Sequence, residues 1–332
     1  MPHHAPVLAI TAGDPCGIGP EVILKTLSAL SSLRRVRLVV IGDLAVFART
    51  ATRLRRRLPP WEVLRIRDPR PPATGSLAFL DCGHPHRFAP GHSSREAGAA
   101  SLAYLSAAIA LWRRRGLQGL VTGPVTKWAI QRARPSFVGQ TEHLARAMGA
   151  REVVMMFVAD RLRVALLTRH LPLREVAGRI DRRLLRSAVR LVAAALARDF
   201  QIAHPRLAVC GVNPHAGEGA SASEEQAVMR PALQGLRRAG VACDGPFAAD
   251  GLFAAGGPRG YDAVICGYHD QGLIPFKMIA RDRGCQLSVG LPVVRTSPDH
   301  GSALDIAGQG IAHPGSMRYA VELAAKLVTR RC

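Results

Sequence analysis

Long hydrophobic runs and paired cysteines are both missing from this sequence of 332 residues. No apolar run approaches the ~20 residues that a helix needs to span a bilayer. The N-terminal segment MPHHAPVLAI lacks the basic and apolar regions of a secretion signal. The seven cysteines are odd in number and contain no CxxC pair, which argues against a disulfide framework or a zinc knuckle. We therefore expect a cytoplasmic protein without a membrane partner.

Lysine is scarce, although the sequence is strongly basic. The formal net charge is +21, yet only four of the 45 basic residues are lysines, which are Lys25, Lys127, Lys277 and Lys326. A basic surface attracts phosphate backbones, but the arginines are spread along helical stretches such as TRLRRRL and LWRRRG, without a known nucleic-acid-binding motif. We favour the interpretation that the arginines cover a solvent-exposed surface. The alternative from a different function class is a nucleic-acid-binding protein that has an enzyme's fold but has lost its activity.

The usual dinucleotide fingerprint is missing as well, because no GxGxxG follows a predicted strand. Two other glycine-rich turns are present, GDPCGIGPEV at the first strand–helix junction and HGSALDIAGQGIAHPGSM near the C-terminus. Glycine lets a backbone approach a ligand closely, and a helix start can accept phosphate oxygens. The same glycines could equally form tight structural turns, so the pattern alone leaves both interpretations open.

Short apolar runs alternate with helical patterns along the chain. PVLAITAGDP, VRLVVIGD and GLVTGPVTK are each typical of a strand that enters a turn. The stretch SSREAGAASLAYLSAAIALWRRRG predicts a long helix that is capped by Ser93 or Ser94 and ended by Gly116. This alternation indicates an α/β fold with buried, mostly parallel strands. In such folds ligands bind beyond the carboxyl ends of the strands.

Three histidines follow three of these predicted strands. His170 follows RVALLT, His215 follows RLAVCGVNP and His269 follows DAVICGY. Neutral imidazoles suit a borderline divalent ion such as Zn²⁺, Co²⁺ or Mn²⁺, and three protein ligands leave a position open for a substrate oxygen. Hydrogen bonding to loop carbonyls is the alternative for any one of them. Three at equivalent positions, beside Asp250 and Asp270, favour a metal site in one crevice.

Groups suited to an anion accompany the histidines in the sequence. Thr141 lies in GQTEH, Lys277 in PFK and Arg295 in VVRTS. Lysine and arginine supply ammonium and forked guanidinium donors for a phosphate or a carboxylate. Each of these residues alone would more often be a surface charge or a strand-end cap.

These motifs together resemble the 4-hydroxythreonine-4-phosphate dehydrogenases of vitamin B6 biosynthesis. AGDPCGIGPEV, VTGPVTK, TRHLPL, CGVNPHAGEG, YHDQGLIPFK and GLPVVRTSPDHGSALDIAGQGIA occur in that family's order and cover nearly the whole chain. The first and last of them are also similar to segments of isopropylmalate and isocitrate dehydrogenases, whose fold the family shares.

The resemblance implies two α/β domains that flank a cleft, as in isocitrate and isopropylmalate dehydrogenases. We expect residues 1–135 together with 300–332 to form the domain on the nucleotide side. Residues 136–299 are expected to form a second domain with the metal site, the substrate site and the dimer interface. The family is a homodimer with active sites at the subunit interface, so a second copy of the chain is the expected partner.

The resemblance also implies roles for individual residues. His170, His215 and His269 would bind a divalent metal such as Zn, Co, Mg or Mn, with His269 serving the partner subunit's site. The substrate would be held by Gln140, Thr141, Lys277, Gln286 and Arg295. The loop with Gly301, Ser302, Asp305 and Gly308 would face NAD or NADP. The base that accepts the hydroxyl proton is left open between Asp270 and Lys277.

The implied reaction is oxidation and decarboxylation of a phosphorylated hydroxy-amino acid, 4-hydroxy-L-threonine 4-phosphate. A divalent metal lowers the pKa of the C3 hydroxyl and eases proton loss as hydride moves to NAD⁺. The product is a β-keto acid, and the same metal can assist decarboxylation by stabilising the developing enolate.

Two positions depart from the family's pattern. Gln140 in GQTE stands where the family usually has histidine, and Gln286 in CQLSVGLP stands where it usually has asparagine. A glutamine amide is never cationic, and loss of a charge-assisted hydrogen bond costs ~1.5–3 kcal/mol. The departures therefore keep two alternatives open: a 4-phospho-D-threonate or erythronate dehydrogenase, and, ranked last, an aromatic cis-dihydrodiol carboxylate dehydrogenase.

Overall fold

The computed structural model describes residues 5–29, 35–65, 77–254 and 257–331. Its strands are β1 (Val7–Thr11), β2 (Arg37–Gly42), β3 (Glu62–Arg65), β4 (Leu77–Asp81), β5 (Gly119–Thr122), β6 (Val154–Ala159), β7 (Leu162–Leu166), β8 (Leu207–Cys210), β9 (Cys243–Phe247), β10 (Ala263–Cys266), β11 (Cys285–Val289) and β12 (Val294–Pro298). Its α-helices are α1 (Gly19–Ala29), α2 (Leu44–Arg53), α3 (Arg95–Arg113), α4 (Lys127–Ala133), α5 (Gln140–Met148), α6 (Leu173–Arg179), α7 (Arg182–Phe200), α8 (Arg230–Arg238), α9 (Ala249–Phe253), α10 (His269–Ala280) and α11 (Gly315–Arg331).

The chain forms two compact units. The first consists of Met1–Ala150 and Leu291–Cys332, and the second is Arg151–Gly290. The sequence prediction set the boundaries elsewhere, at residues 135/136 and 299/300. In the structure α5 and β12 belong to the first unit, because α5 packs on α3 and β12 pairs with β5. Gln140, Thr141 and Arg295 therefore lie in the unit that also contains the glycine-rich turns.

The strands of the first unit are all parallel, in the order β3-β4-β2-β1-β5-β12. β1 lies between β2 and β5 and is buried along its whole length. The rings of Phe47 and Phe79 pack edge to face beside this sheet, with centroids 5.1 Å apart. This is the buried parallel arrangement that the continuous apolar runs predict.

The second unit has the strand order β11-β6-β7-β10-β8-β9. β7, β10, β8 and β9 are parallel to one another, whereas β6 is antiparallel to both β7 and β11. β6 and β7 form a hairpin whose two-residue turn is Asp160 and Arg161, with Asp160 at φ 46°. Aspartate tolerates this left-handed conformation better than most residues, so the turn forms without glycine.

The predicted long helix is α3, and the structure decides how it begins. Ser94 is its N-cap, because Oγ of Ser94 accepts a hydrogen bond from N of Ala97 at 3.2 Å. Ser93 instead donates to Oδ2 of Asp14 at 2.6 Å. The six described cysteines are free thiols, as their irregular spacing predicts. Among the described residues, no helix combines the length and hydropathy that crossing a bilayer requires.

Candidate functional site

Arg295 lies at the centre of a buried polar cluster in the first unit. It is the second residue of β12, opposite Leu120 of β5, and only 3% of it is exposed. Its Nη2 donates to Oγ1 of Thr122 at 2.6 Å and to Oε1 of Gln140 at 2.8 Å. Its Nη1 donates to Oγ1 of Thr141 at 3.3 Å. These three acceptors are neutral oxygens, and together they fix the orientation of the guanidinium.

Gln140 begins α5 and uses both ends of its amide within this cluster. Oε1 accepts from Arg295, and Nε2 donates to the carbonyl oxygen of Gly123 at 3.0 Å. The side chain therefore ties the start of α5 to the turn after β5. The structure brings the predicted residues Gln140, Thr141 and Arg295 together and adds Thr122, which the sequence prediction missed. Thr122 ends a predicted strand, and polar residues at strand ends were the available signal.

The two glycine-rich turns of the first unit pack against each other. The backbone N of Ile18 donates to the carbonyl of Ser302 at 2.9 Å, and the hydroxyl groups of Ser302 and Thr126 lie 2.8 Å apart. A Cβ on Gly17 would lie 2.8 Å from the same carbonyl oxygen. Close packing of the two turns thus requires glycine at position 17.

The predicted cofactor residues in the C-terminal loop differ in their surroundings. Gly308 has φ +82°, and a Cβ there would meet Pro90 at 2.8 Å, so this glycine is required by the fold. Nothing lies within 4 Å of a Cβ built on Gly301. Gly301 and Asp305 are exposed and accessible to a ligand, while Ser302 is held by the contacts described above. Their role towards a nucleotide stays a prediction.

A second polar cluster in the first unit was not predicted from the sequence. The carboxylate of Asp43 is 3% exposed and accepts hydrogen bonds from Tyr104 Oη at 2.6 Å, His84 Nδ1 at 2.9 Å and His84 N at 3.1 Å. Burial alone would raise the pKa of Asp43, but the bonds from His84 and Tyr104 outweigh it and hold the pKa below its usual value. The hydrogen bond to Asp43 raises the pKa of His84, against the effect of burial. No sequence motif joins residues so far apart.

The ends of β7 and β10 bring two of the three candidate metal ligands together in the second unit. Thr168 binds the carbonyl of Gly267 through both its backbone N, at 3.1 Å, and its Oγ1, at 2.7 Å. His170 follows with φ 52°, and His269 is the first residue of α10. Their ring centroids are 5.9 Å apart. Two of the three histidines therefore lie near each other at the ends of neighbouring strands, and their role as metal ligands stays a prediction.

His215 lies on a loop that Glu225 organises. His215 and Ala216 both have left-handed backbone conformations, with φ 53° and 54°, which is strained for residues other than glycine. The fully buried carboxylate of Glu225 accepts hydrogen bonds from the backbone N of Val212 at 2.7 Å and of Asn213 at 2.9 Å. Burial alone would raise the pKa of Glu225, but these bonds hold it below its usual value. Sequence reasoning did not find this residue.

A pocket of about 500 Å³ adjoins His215 in the second unit. Asp250, Asp270 and Tyr268 also line it. Among the described residues of one chain, no three His, Cys, Asp or Glu side chains are arranged to hold a metal ion. A single chain thus supplies imidazole and carboxylate groups of the right chemistry, with His170 near His269 and His215 beside the carboxylates, but not a complete ligand set.

The remaining predicted residues lie on α10 and β11. Oδ1 of Asp270 is 2.7 Å from Nδ1 of His269, and the Asp270 side chain is 72% exposed. Lys277 lies exposed further along α10. Gln286 is buried in β11, where its Nε2 donates to Oγ of Ser288 at 2.9 Å. Asp270 and Lys277 are accessible for proton transfer or anion binding, whereas Gln286 is held inside the second unit.

Comparison with known proteins identifies the family of this chain. The model of the family described as pyridoxal phosphate biosynthetic protein PdxA matches residues 34–324. The chain belongs to the PdxA family. It is 44% identical to a 4-hydroxythreonine-4-phosphate dehydrogenase from Chromobacterium violaceum, over 97% of each chain. It is 39% identical to a D-threonate 4-phosphate dehydrogenase from Cupriavidus necator, over the full length of both.

Solved structures support the same family. A 4-hydroxythreonine-4-phosphate dehydrogenase from Burkholderia phymatum superposes with a TM-score of 0.80 at 35% identity, covering 98% of this chain and 99% of that one. The predicted family, the α/β fold related to isocitrate and isopropylmalate dehydrogenases, and an oxidoreductase acting on a CH–OH group are thereby confirmed. Membership in the PdxA family implies a dehydrogenase nucleotide cofactor and a divalent metal in general.

Proposed function

We propose that this protein oxidises and decarboxylates 4-hydroxy-L-threonine 4-phosphate with NAD⁺ as the oxidant, in pyridoxal phosphate biosynthesis. The substrate C3–H leaves as hydride to NAD⁺, the C3 hydroxyl loses its proton, and the resulting β-keto acid releases CO₂ and takes up a proton. The products are NADH, CO₂ and 3-amino-2-oxopropyl phosphate. The observation that carries the proposal is the buried Arg295 cluster in a member of the PdxA family.

Arg295 and Thr141 are the proposed phosphate-binding residues. The buried guanidinium of Arg295 carries a positive charge that attracts a phosphate, and its bonds to Thr122, Gln140 and Thr141 hold it in position. Thr141, also buried, adds a hydroxyl at the same place. Lys277, exposed on α10, would supply a further ammonium group. Their task is to fix the phosphate so that the C3 carbon is always presented in one orientation.

His170 and His215 of one chain and His269 of the partner subunit are the proposed metal ligands. The neutral imidazole nitrogens suit a divalent transition ion, and a homodimer would complete the set that one chain leaves incomplete. When bound, such an ion would supply Lewis-acid stabilisation of negative charge on the substrate oxygens. Glu225 would act through the backbone, by holding the loop that carries His215.

The hydroxyl proton needs an acceptor among the chain's own residues. Asp270 has an exposed carboxylate that is oriented by Nδ1 of His269. Lys277, acting through a water molecule, is the other candidate. The exposed part of the C-terminal loop, Gly301 and Asp305, is the proposed place for the nucleotide.

A second candidate function is the oxidation of 4-phospho-D-threonate or erythronate. The Cupriavidus necator relative is named for such a substrate. Gln140 favours this alternative because its amide is engaged by Arg295 and by the carbonyl of Gly123. An amide carries no charge, so Gln140 adds no positive charge to the proposed substrate site, and discrimination between an amino acid and a hydroxy acid would rest on other groups.

The test is NADH formation by the metal-reconstituted protein with each substrate in turn. Efficient turnover of 4-hydroxy-L-threonine 4-phosphate that EDTA abolishes would support the main proposal. Preference for 4-phospho-D-threonate would support the second candidate. If the protein still turns over 4-hydroxy-L-threonine 4-phosphate after complete removal of metal, the metal assignment is wrong. The substrate assignment would still hold.

A further inference from the structure

A pocket of about 460 Å³ lies in the first unit, among α3, the segment after α4, and α5. Its apolar wall consists of Ile109, Ala110, Phe137, Val138 and Ala147. Phe137 is buried, whereas 56% of Val138 is exposed. None of these residues belongs to the candidate site described above. A volume of this size is typical of pockets that enclose a small organic molecule.

The charged groups around this pocket are almost all positive. Arg113 and Arg114 come from the C-terminal end of α3, Arg134 follows α4, and Arg146 lies on α5. Glu142 is the acidic residue among the lining residues. Four guanidinium groups against one carboxylate give the pocket a positive field, and exposed guanidinium groups can close on an anion with paired donors.

His143 joins the apolar wall to the arginines. Its ring lies 5.9 Å from that of Phe137, measured between centroids. Burial lowers the pKa of His143, and the charges of Arg134 and Arg146 lower it further. Its Nε2 is buried and has no hydrogen-bond partner among the described residues. The two arginines thus act on one neutral ring, beside a flat aromatic side chain.

We propose that this pocket binds a small organic phosphate with a flat, apolar ring. The four arginines recognise the phosphate, while Phe137, Ile109 and Ala147 contact the ring. An inorganic anion would leave the apolar wall without a contact, and a neutral ring would make no charge-assisted contact with the guanidinium groups. The combination selects a molecule that carries both features.

The occupant would contact the same short helix as the Arg295 cluster. α5 is nine residues long, and it begins with Gln140 and Thr141 of that cluster. Glu142, His143, Arg146 and Ala147 of the same helix line the pocket. The side chains that line the pocket are nevertheless different from those of the Arg295 cluster. The ligand of the pocket can therefore be tested independently of the substrate.

Isothermal titration calorimetry of the full-length protein with phenyl phosphate tests the proposal. We expect phenyl phosphate to bind at least tenfold more tightly than either inorganic phosphate or phenol. Arg134→Ala/Arg146→Ala should weaken this binding at least tenfold, whereas Arg57→Ala, which removes an exposed arginine elsewhere in the first unit, should change it less than twofold. Absence of phenyl phosphate binding, or binding that persists at full strength in the double variant, would overturn the proposal.

A second variant tests whether binding needs the pocket itself or only the positive charge of the arginines. Ala147→Trp keeps all four arginines and fills the space beside Phe137, so it should also weaken phenyl phosphate binding at least tenfold. Loss of binding in the arginine variant but not in Ala147→Trp would mean that the arginines attract anions without a pocket, which also contradicts the proposal. Thermal denaturation of each variant shows that it is folded. The turnover assay is run on the same variants, and because none carries a change in the candidate active site, its result bears on the proposed reaction alone.

The natural occupant could be a nucleotide or a phosphorylated pyridine, which share this chemistry. Adenosine 5′-monophosphate and pyridoxine 5′-phosphate, titrated into the unmodified protein and both pocket variants, distinguish the two. The compound whose affinity falls in both pocket variants shows whether the natural ligand is a nucleotide or a phosphorylated pyridine. If neither responds to the variants although phenyl phosphate does, the pocket binds a ring-bearing phosphate that is neither a nucleotide nor a phosphorylated pyridine.

Discussion

Arg295 in the first unit is buried and is held by hydrogen bonds to Thr122, Gln140 and Thr141. His170 and His215 in the second unit are instead exposed, and both have a positive φ. The guanidinium proposed to bind phosphate is thus held in position by residues of its own chain. Both imidazoles lie at the surface, and the described residues of one chain contain no group of three metal-ligating side chains. Substitutions of the histidines should therefore lower turnover with little effect on stability, whereas substitution of Arg295 should lower both.

The largest expected effect is on turnover in the second unit. His215→Ala should remove nearly all activity, because the loss of one of three ligands leaves a divalent ion poorly held. The free energy of unfolding should hardly change, because His215 is exposed. Turnover and urea denaturation check the two expectations. His204→Ala, another exposed histidine of the second unit, is the control, and full activity in His215→Ala would contradict the metal assignment.

Arg295→Ala should lower both turnover and stability, in contrast to His215→Ala. Removing the guanidinium leaves buried acceptors without their donor, which costs about 1–3 kcal/mol of unfolding free energy. The loss of a charge-assisted contact to phosphate should raise KM by about 10- to 150-fold. Substrate titrations and urea denaturation measure these changes, with Arg57→Ala as control. If stability fell equally in His215→Ala, the contrast between the two regions would be wrong.

Gln140→His tests whether position 140 sets the preference between the two candidate substrates. Histidine can be cationic and donate a charge-assisted hydrogen bond, so the kcat/KM ratio of 4-hydroxy-L-threonine 4-phosphate over 4-phospho-D-threonate should change by about tenfold or more. Competition between the two substrates measures the ratio. Gln286→Asn, the other departure from the family, provides the comparison. An unchanged ratio in Gln140→His would show that position 140 does not set the preference.

The smallest expected effect is a pH dependence of stability from the Asp43 cluster. The pKa of His84 is raised by folding, so its contribution is fully present below ~6.5 and is lost as the pH rises through the folded value. The pKa of Asp43 is lowered, so its contribution is present above ~3.9 and is lost as the pH falls through the folded value. His84→Asn should remove the loss on the alkaline side, measured by urea denaturation at pH 5.5–8.5. The exposed His92→Asn is the control, and an equal slope in both variants would contradict this account.

Strand ends could be predicted from the sequence, because each follows a short apolar run. His170, His215 and His269 each follow an apolar run that is indeed a strand, and the structure brings the first and third together. Strand direction was less visible, since a short apolar run is the same in either direction. The antiparallel β6 and β11 were therefore not predicted, and helix α5 was assigned to the other domain.

The sequence by itself determined the family, the alternation of strands and helices, and the positions of polar residues at strand ends. These features are local, because they depend on hydrophobic pattern, glycine and the order of motifs along the chain. Only the tertiary structure decided that Gln140 binds Arg295, that Asp43 binds His84 and Tyr104, and that Glu225 holds the His215 loop. The physical reason is that each of these contacts satisfies buried polar groups of residues distant in sequence, and their partners exist only once the sheets have formed.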